Sequence, residues 1–572
     1  MQAVAFGPSI SDACCPVRRK PGIESEQLMT LSSFLNWRFS LIFFHRWMGI
    51  LVGMMFVIWS LSGIVLLYAG IPHMNAGERL YRLPELDVES ISISPAQAVT
   101  NVKGEPFRLR ISMHEDRPVY RINTGNVFGR WTLVYADTGE LVPGLDEQAA
   151  INWLQNFIPE HNTGFTVETT LTGPDMFTHS PGLQTHMPMH RIALGDAAGT
   201  EYYMSVNSGE PVMKTTTLTR LLGFAGYNMH TLFFFRQASW WTPLLEWLAW
   251  LTLGLVLLGL VLGIWRFNVV PRIKKSGETY RSPYKSWYQW HHWAGLIFGI
   301  MALSWVSSGL ISLGVIPGIQ ETLYTSPQIQ AGARSVQGQG AHQDLSSLTA
   351  EGVKHAATRL GQEFPIAELE LLPVDGKLYY LAYRKPTHEE MVDWDSRSAF
   401  DFITPTLEWE HAQISATDLR AEPFRAFEED RLQSMATRAM PGAAIVESQW
   451  LVEPDSYYYR TLDSFDLGLP RSVRSLPVLR VKFDDPLSTW LYLEPSLGQM
   501  TKAEIQDRRN RWGYYGLHGL DFGFLFPRRP LWDIIILMLV SGVVILGGSI
   551  VVPAVRRLKR HAGKMTGSQK VG

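Results

Sequence analysis

The chain has 572 residues, 51 Lys and Arg against 53 Asp and Glu for a formal net charge of −2, and 46% hydrophobic residues. Such a length exceeds a single domain, and the balanced charge gives no electrostatic reason to expect a nucleic-acid partner. The only two cysteines, Cys14 and Cys15, exclude a disulfide framework, a cysteine zinc site and covalent haem attachment through Cys-x-x-Cys-His, so any redox centre must be held non-covalently.

Taken in chain order, residues 1–40 form a polar lead carrying Arg18, Arg19, Lys20 and Arg38. The first apolar run starts near residue 41 and is long enough to remain as an anchor rather than be cleaved as a leader. Four runs reach the roughly 20 apolar residues that a bilayer span requires: 41–68, 241–266, 290–313 and 531–553. Buried helices of a large soluble protein are the alternative, but the second and fourth runs are apolar around their whole circumference. Between the spans lie two long segments, 69–240 and 314–530, and one short basic loop, 267–289, with Arg272, Lys274, Lys275, Arg281 and Lys285. A basic tail, 554–572, follows the fourth span with Arg556, Arg557, Lys559 and Arg560. The positive-inside rule therefore puts both termini and the basic loop in the cytoplasm and both long segments outside.

The chain repeats itself. "HRWMGILVGMMFVIWSLSG" at 45–63 and "HHWAGLIFGIMALSWVSSG" at 291–309 agree at eight of nineteen positions. In the outer segments, "RPVYRI" (117–122) leads to "WTLVYADTGELV", "MPMHRI" (187–192) to "EYYMSVNSGEPV", and "LPVLRV" (476–481) to "WLYLEPSLGQM". "KLYYLAYRK" (377–385) begins a fainter copy. Each reads as a strand entered at Pro, a second strand and a Gly-bearing turn. The expected fold is a membrane α-helical bundle of four transmembrane helices, built as two pseudo-repeats, with two α+β domains outside, each of about two such modules.

Four histidines occupy matched places. His45 and His291 open the first and third spans on the cytoplasmic side, while His230 and His518 precede the second and fourth on the outer side. In a pseudo-symmetric bundle His45 meets His291 and His230 meets His518, giving two bis-imidazole sites stacked across the membrane. Bis-imidazole ligation of haem iron leaves no open position and favours electron transfer over oxygen binding. At 100° per residue, Gly49, Gly53 and Gly63 stay within 80° of the azimuth of His45, and Gly295, Gly299 and Gly309 repeat this beside His291, which clears room for a macrocycle. Small residues in membrane helices also serve helix packing, and an interfacial histidine is often only a polar residue at headgroup level. Trp59 and Trp305 fall deeper in the bundle, between or against the two centres. His292 aligns with Arg46 and is a secondary partner, or the ligand itself if the register slips by one. Arg46, Arg236, Arg528 and Arg529 sit near the two faces, either to pair with haem propionates or to snorkel to the membrane surface. "HSPGLQTHMPMHR" (179–191) has soft ligands suited to copper, yet its Met189 and His190 fall where other copies have ordinary strand residues.

These residues carry a resemblance. "HRWMGILVG…WSLSG", "HHWAGLIFG…WVSSG" and "LHGLDFGF" before a final helix resemble the PepSY-associated transmembrane family, and the outer strand units resemble its PepSY modules, together covering most of residues 40–555. The resemblance implies a multi-pass inner-membrane protein of Gram-negative bacteria with periplasmic PepSY-like domains, similar to dihaem reductases that release iron from ferric siderophores. It implies two non-covalent haem b groups with His45, His291 and His518 as ligands, and His230 although "MHTLFFF" lacks the family's glycines. Its oxidoreductase activity would take electrons from a quinol or flavoprotein donor, since no phosphate-binding glycine loop follows a strand here, and pass them to a ferric siderophore or other Fe(III) chelate. Two other classes stand beside it: a non-redox PepSY protein binding a peptide, protease or siderophore in the periplasm, and a transporter, which the scarcity of charge within the spans disfavours.

Overall fold

A computed structural model describes residues 37–568 apart from 70–71, 73, 75, 126–128, 160, 162–163, 276, 316–343, 392–409, 419, 459–474 and 527. Cys14, Cys15, Arg18, Arg19 and Lys20 lie outside the described residues.

Four long apolar helices form the bundle: α1 (Trp37–Tyr68), α2 (Trp241–Arg266), α3 (Trp287–Ser312) and α4 (Leu531–Gly548). Each is long and apolar enough to cross a membrane. They close a ring in which α1 touches α2 and α4, and α3 touches α2 and α4, so that α1 and α3 are diagonal. Phe56, Ala302, Val306 and Val543 form the centre. The outward faces are apolar too: Leu51, Trp247 and Ile300 are 70%, 68% and 73% exposed. An apolar surface all round a bundle needs lipid as its solvent. The fourth span differs from expectation at its end. Helix α4 stops at Gly548, and α5 (Val551–Ser568) follows at once, where the sequence reads only as a tail. The basic loop holds a small hairpin, β8 (Arg272–Ile273) with β9 (Thr279–Tyr280). Chain connectivity puts this hairpin and α5 at one end of the bundle and the larger sheets at the other.

The sheet end carries four helix-plus-antiparallel-strand units, two from each long segment. The helix Pro95–Thr100 accompanies β1 (Pro106–His114), β2 (Arg117–Thr124) and β3 (Trp131–Tyr135). The helix Glu147–Phe157 packs on β4 (Thr166–Leu171), β5 (Met189–Ala193), β6 (Glu201–Ser205) and β7 (Pro211–Thr215). In the second segment, Ala350–Gly361 accompanies β10 (Ile366–Val374), β11 (Lys377–Arg384) and β12 (His411–Ser415). Glu429–Ala439 accompanies β13 (Ile445–Leu451), β14 (Val478–Phe483), β15 (Trp490–Glu494) and β16 (Gln499–Ala503). Every Pro-entered motif read from the sequence is a strand, and the fainter one is β11. Gly209, at φ +59°, shows why a turn glycine is needed: a Cβ there would meet His114 Cε1 at 2.8 Å.

The two outer segments are joined by strand pairing, which chain order alone does not show. β1 pairs antiparallel with β10, Leu109 opposite Leu371, and makes one six-stranded sheet in the order β12-β11-β10-β1-β2-β3. Pairing two edges removes two unsatisfied rows of backbone groups, and it lets Ile111, Tyr120, Leu369 and Tyr380 share one core. A buried ionic joint lies against this seam. Glu368 of β10 accepts two hydrogen bonds from Arg79, at 2.7 and 2.9 Å, and one from Arg110 at 3.1 Å. Arg110 also donates to Glu210, which ties in the β4–β7 sheet. Burial pushes the Glu210 carboxyl up, but Arg110, Arg79 and Arg121 outweigh it and hold the group far below the usual carboxylate range. Burial, reinforced by Arg121, brings His114 beside the joint down to about 4.

Candidate functional site: two facing histidine pairs

His45 on α1 and His291 on α3 come from diagonal helices, so both rings point to the bundle axis. Their centres lie 6.1 Å apart. His230 and His518 sit on the turns that lead into α2 and α4, and their ring centres lie 6.3 Å apart. Both pairings inferred from matched positions are therefore present. Ser62, which touches His230, is seventeen residues after His45, and Ser308, which touches His518, is seventeen after His291. At 1.5 Å per residue the two levels are separated by about 25 Å along the helices.

The hydrogen bonds decide which nitrogen each ring presents. Ser62 Oγ donates its proton to Ile58 O at 2.8 Å and so accepts from His230 Nδ1–H at 3.0 Å. Ser308 Oγ donates to Ser304 O at 2.8 Å and accepts from His518 Nδ1–H at 2.9 Å. Ser549 Oγ donates to Leu546 O at 2.7 Å and lies 3.1 Å from His291 Nδ1, which also reaches Leu546 O at 3.2 Å. His45 Nδ1–H donates to Leu255 O at 3.2 Å. In all four rings Nδ1 carries the proton and Nε2 has no hydrogen-bond partner among the described residues. Metal-ligating histidines have this arrangement, one nitrogen anchored to a carbonyl or hydroxyl and the other free.

The spacing fits a shared iron. Two metal–nitrogen bonds of about 2 Å, with about 1.2 Å from each nitrogen to its ring centre, put the centres of two opposed imidazoles about 6.4 Å apart. The interplanar angles, 38° and 86°, are both compatible, because rotating a ring about the common axis moves neither nitrogen. Trp305 adds a buried Nε1–H with no partner among the described residues. An unsatisfied buried donor costs about 1–3 kcal/mol, which an acceptor on a bound group would recover. The donor set therefore fits bis-imidazole haem. Among the described residues no group of three or more His, Cys, Asp or Glu is placed to hold a bare metal ion.

The two outer histidines are held by matched devices that no sequence pattern announced. Each follows a π-helical turn, Phe224–Asn228 before His230 and Arg511–Gly516 before His518. Each is followed two residues later by a leucine in the left-handed region, Leu232 at φ +50° and Leu520 at φ +51°. Such strain in a residue with a Cβ persists only where the surroundings impose it, commonly at functional sites. Tryptophans hold the exits: Trp241 Nε1 donates to Thr231 O at 2.9 Å, and Trp532 Nε1 donates to Gly519 O at 3.1 Å.

The secondary residues divide. Trp59 Nε1 donates to the His230 carbonyl at 2.7 Å, so it positions that histidine rather than lying between the two levels. His292 is buried with both nitrogens occupied, by Ser282 Oγ at 2.8 Å and Gly263 O at 2.9 Å, which removes it as a ligand. Arg529 is bound to Asp533 and lies over Trp532, so its guanidinium is not free for a propionate, whereas Arg236 donates one N–H to Pro174 O and forms no ion pair with a described residue. Arg46 and Arg528 are exposed and form no ion pair with a described residue.

The glycines correct the expectation in part. Gly49 and Gly53 face Ile550, Gly295 faces Leu546 and Gly299 faces Leu260, at 2.6–3.6 Å from a would-be Cβ. Those four serve helix packing. Gly63 borders the His230 ring, not His45, and Gly309 borders His518, at 3.8 and 4.0 Å. The glycine against His45 is Gly259 of α2, where a Cβ would lie 2.9 Å from Cε1. Ser62 and Ser308 were legible as one of the eight shared positions of the helical repeat; Gly259 and Ser549 had no such signal.

In the 179–191 stretch, Met189 is core, and His190 is satisfied by Thr170 and Leu145 O. These are strand residues, as their alignment with the other copies indicated.

Comparison of the sequence with protein-family models and with curated proteins finds no match in either.

Proposed function

We propose that the chain conducts electrons across a membrane, from a donor at the hairpin end to a Fe(III) chelate at the sheet end, by way of two non-covalent haem b groups. Two histidine pairs at two levels, with ring centres 6.1 and 6.3 Å apart and each ring anchored through Nδ1, are the observation that carries this reading. When bound, bis-imidazole haem supplies a one-electron carrier with no open coordination position. Ser62, Ser308, Ser549 and the carbonyls of Leu255 and Leu546 fix the tautomers. Apolar neighbours such as Phe56 and Val543 keep water from the path between the levels. A quinol supplies two electrons and releases two protons, and each electron converts one Fe(III) of the chelate to Fe(II). Oxygen-donor chelators hold the harder Fe(III) far better, so reduction releases the metal.

The concentration of Lys and Arg at the hairpin end supports a cytoplasmic location for it and a periplasmic one for the sheets. The paired helix-and-strand units, matched between halves, support the PepSY-like and pseudo-repeat readings and with them the resemblance to siderophore reductases of the bacterial inner membrane. The test is a reduced-minus-oxidised spectrum with a pyridine haemochrome count on protein made with ample haem. Two haems per chain are expected, with one lost in His45→Ala and the other in His518→Ala. Protein without a Soret band ends the proposal.

One observation favours the non-redox alternative. β13 is an edge strand with Val446 67% exposed, a form that takes up an extended peptide by strand addition. Under that reading all four His→Ala variants leave the spectrum unchanged.

A further inference from the structure

The turns that carry the outer histidines have matched backbones and opposite surfaces. The helix Thr217–Gly223 precedes His230, and Ile505–Asn510 precedes His518. Aligned on the two histidines, Leu218 and Leu221 stand opposite Gln506 and Arg509. Leu218 and Leu221 are 62% and 61% exposed, and Phe234, Phe235 and Trp240 continue the apolar surface directly into α2. Water is a poor solvent for that strip, and its continuity with a membrane span names the occupant: the boundary between headgroups and acyl chains. On the other turn, Arg509 is exposed and has no ion pair or hydrogen bond with a described residue. Burying such a guanidinium in acyl chains is costly, so this turn faces water. Beside it lies an aromatic platform: Trp512 stacks on Phe522 at 6.0 Å, Phe522 on Phe524 at 5.5 Å, and Phe524 is 66% exposed.

We infer that lipid seals the outer histidine pair on the 217–235 side and that a water-borne acceptor reaches it over the 505–524 side, past Arg509 and Trp512. The lipid contact stands by itself, while the acceptor route rests on the electron-transfer reading. The chemistry of this approach, an exposed guanidinium without an ion pair to a described residue and a stack of rings that begins three residues further on, selects an anionic chelate with flat, conjugated or carboxylate arms.

The test uses full-length protein in phospholipid nanodiscs, with Cys14→Ser and Cys15→Ser as background. A nitroxide is attached to Leu221→Cys or to Arg509→Cys and its relaxation by oxygen and by a water-soluble Ni(II) chelate is compared. Leu221→Cys is expected to respond chiefly to oxygen and Arg509→Cys chiefly to nickel; equal nickel access at both positions overturns the lipid seal. In the second arm, dithionite-reduced protein is reoxidised by ferric citrate. Arg509→Glu is expected to slow this about tenfold at low ionic strength, with the difference shrinking in salt, as for a steered anion. Unchanged rates in a protein with two haems overturn the acceptor route. A protein that binds no haem fails the electron-transfer reading and the acceptor route with it, and the nitroxide comparison still decides the lipid contact.

Discussion

Replacing Ser308 by Ala tests the site at its most specific point. Ser308 is fully buried, accepts from His518 Nδ1–H at 2.9 Å and passes its own proton to Ser304 O at 2.8 Å. Without the hydroxyl, Nδ1–H loses its 2.9 Å acceptor and the ring keeps only the Trp305 backbone as a partner, at a cost of up to about 1–3 kcal/mol, the range for an unsatisfied buried donor. The ring escapes that cost by rotating or by moving its proton to Nε2, and either change takes away the anchored Nε2 lone pair that a ligand role requires. Outer-shell partners of this kind typically contribute 10–100-fold in metal affinity, about 1.4–2.8 kcal/mol. Haem affinity at the outer level should fall by that factor, measured by titrating haem into depleted protein and following the Soret band. Ser60→Ala is the matched control, because Ser60 Oγ is also buried but donates only to Phe56 O of its own helix at 2.9 Å and touches no histidine. If Ser308→Ala and Ser60→Ala bind haem alike, the tautomer argument is wrong.

Gly259→Leu should displace His45, whose Cε1 lies 2.9 Å from the first added carbon; the haem count should fall from two to one with the His230/His518 signal intact, whereas Gly548→Ala, with nothing within 4 Å, should keep both. Glu368→Ala leaves Arg79 and Arg110 without their shared carboxylate in a buried seam and should destabilise the six-stranded sheet by about 3–5 kcal/mol, read as a lowered midpoint in urea by tryptophan fluorescence. The sheet end should also be acid-labile. His114 is held down to about 4 when folded and titrates near 6.5 when unfolded, so the unfolded chain binds the extra proton. That group's stabilisation is complete above pH 6.5 and is lost as pH falls to 4, to a total of about 3 kcal/mol. His186, also brought down to about 4 by burial, acts in the same direction. His114→Gln should flatten the pH dependence of the unfolding midpoint in this window, and an unaltered profile would count against the assignment.

Hydropathy, period and composition are local properties, and what depends on them was legible in the sequence. The four apolar helices, the strands entered at Pro and the basic loop all follow from stretches of five to thirty residues read alone. Even the histidine pairings were legible, because a repeat brings its own symmetry: matched positions in two halves meet when the halves pack.

Tertiary structure alone decided the rest. Leu109 pairs with Leu371 across two whole spans, and an edge strand does not state in its sequence which other edge will cover it. The proton on each imidazole is set by a hydroxyl or carbonyl 168 to 258 positions away, and the roles of Gly49 and Gly259 depend on which neighbouring side chain arrives beside them. Periodicity says which face of an element turns inward, but the partner found there belongs to another part of the chain, and only packing brings the two together.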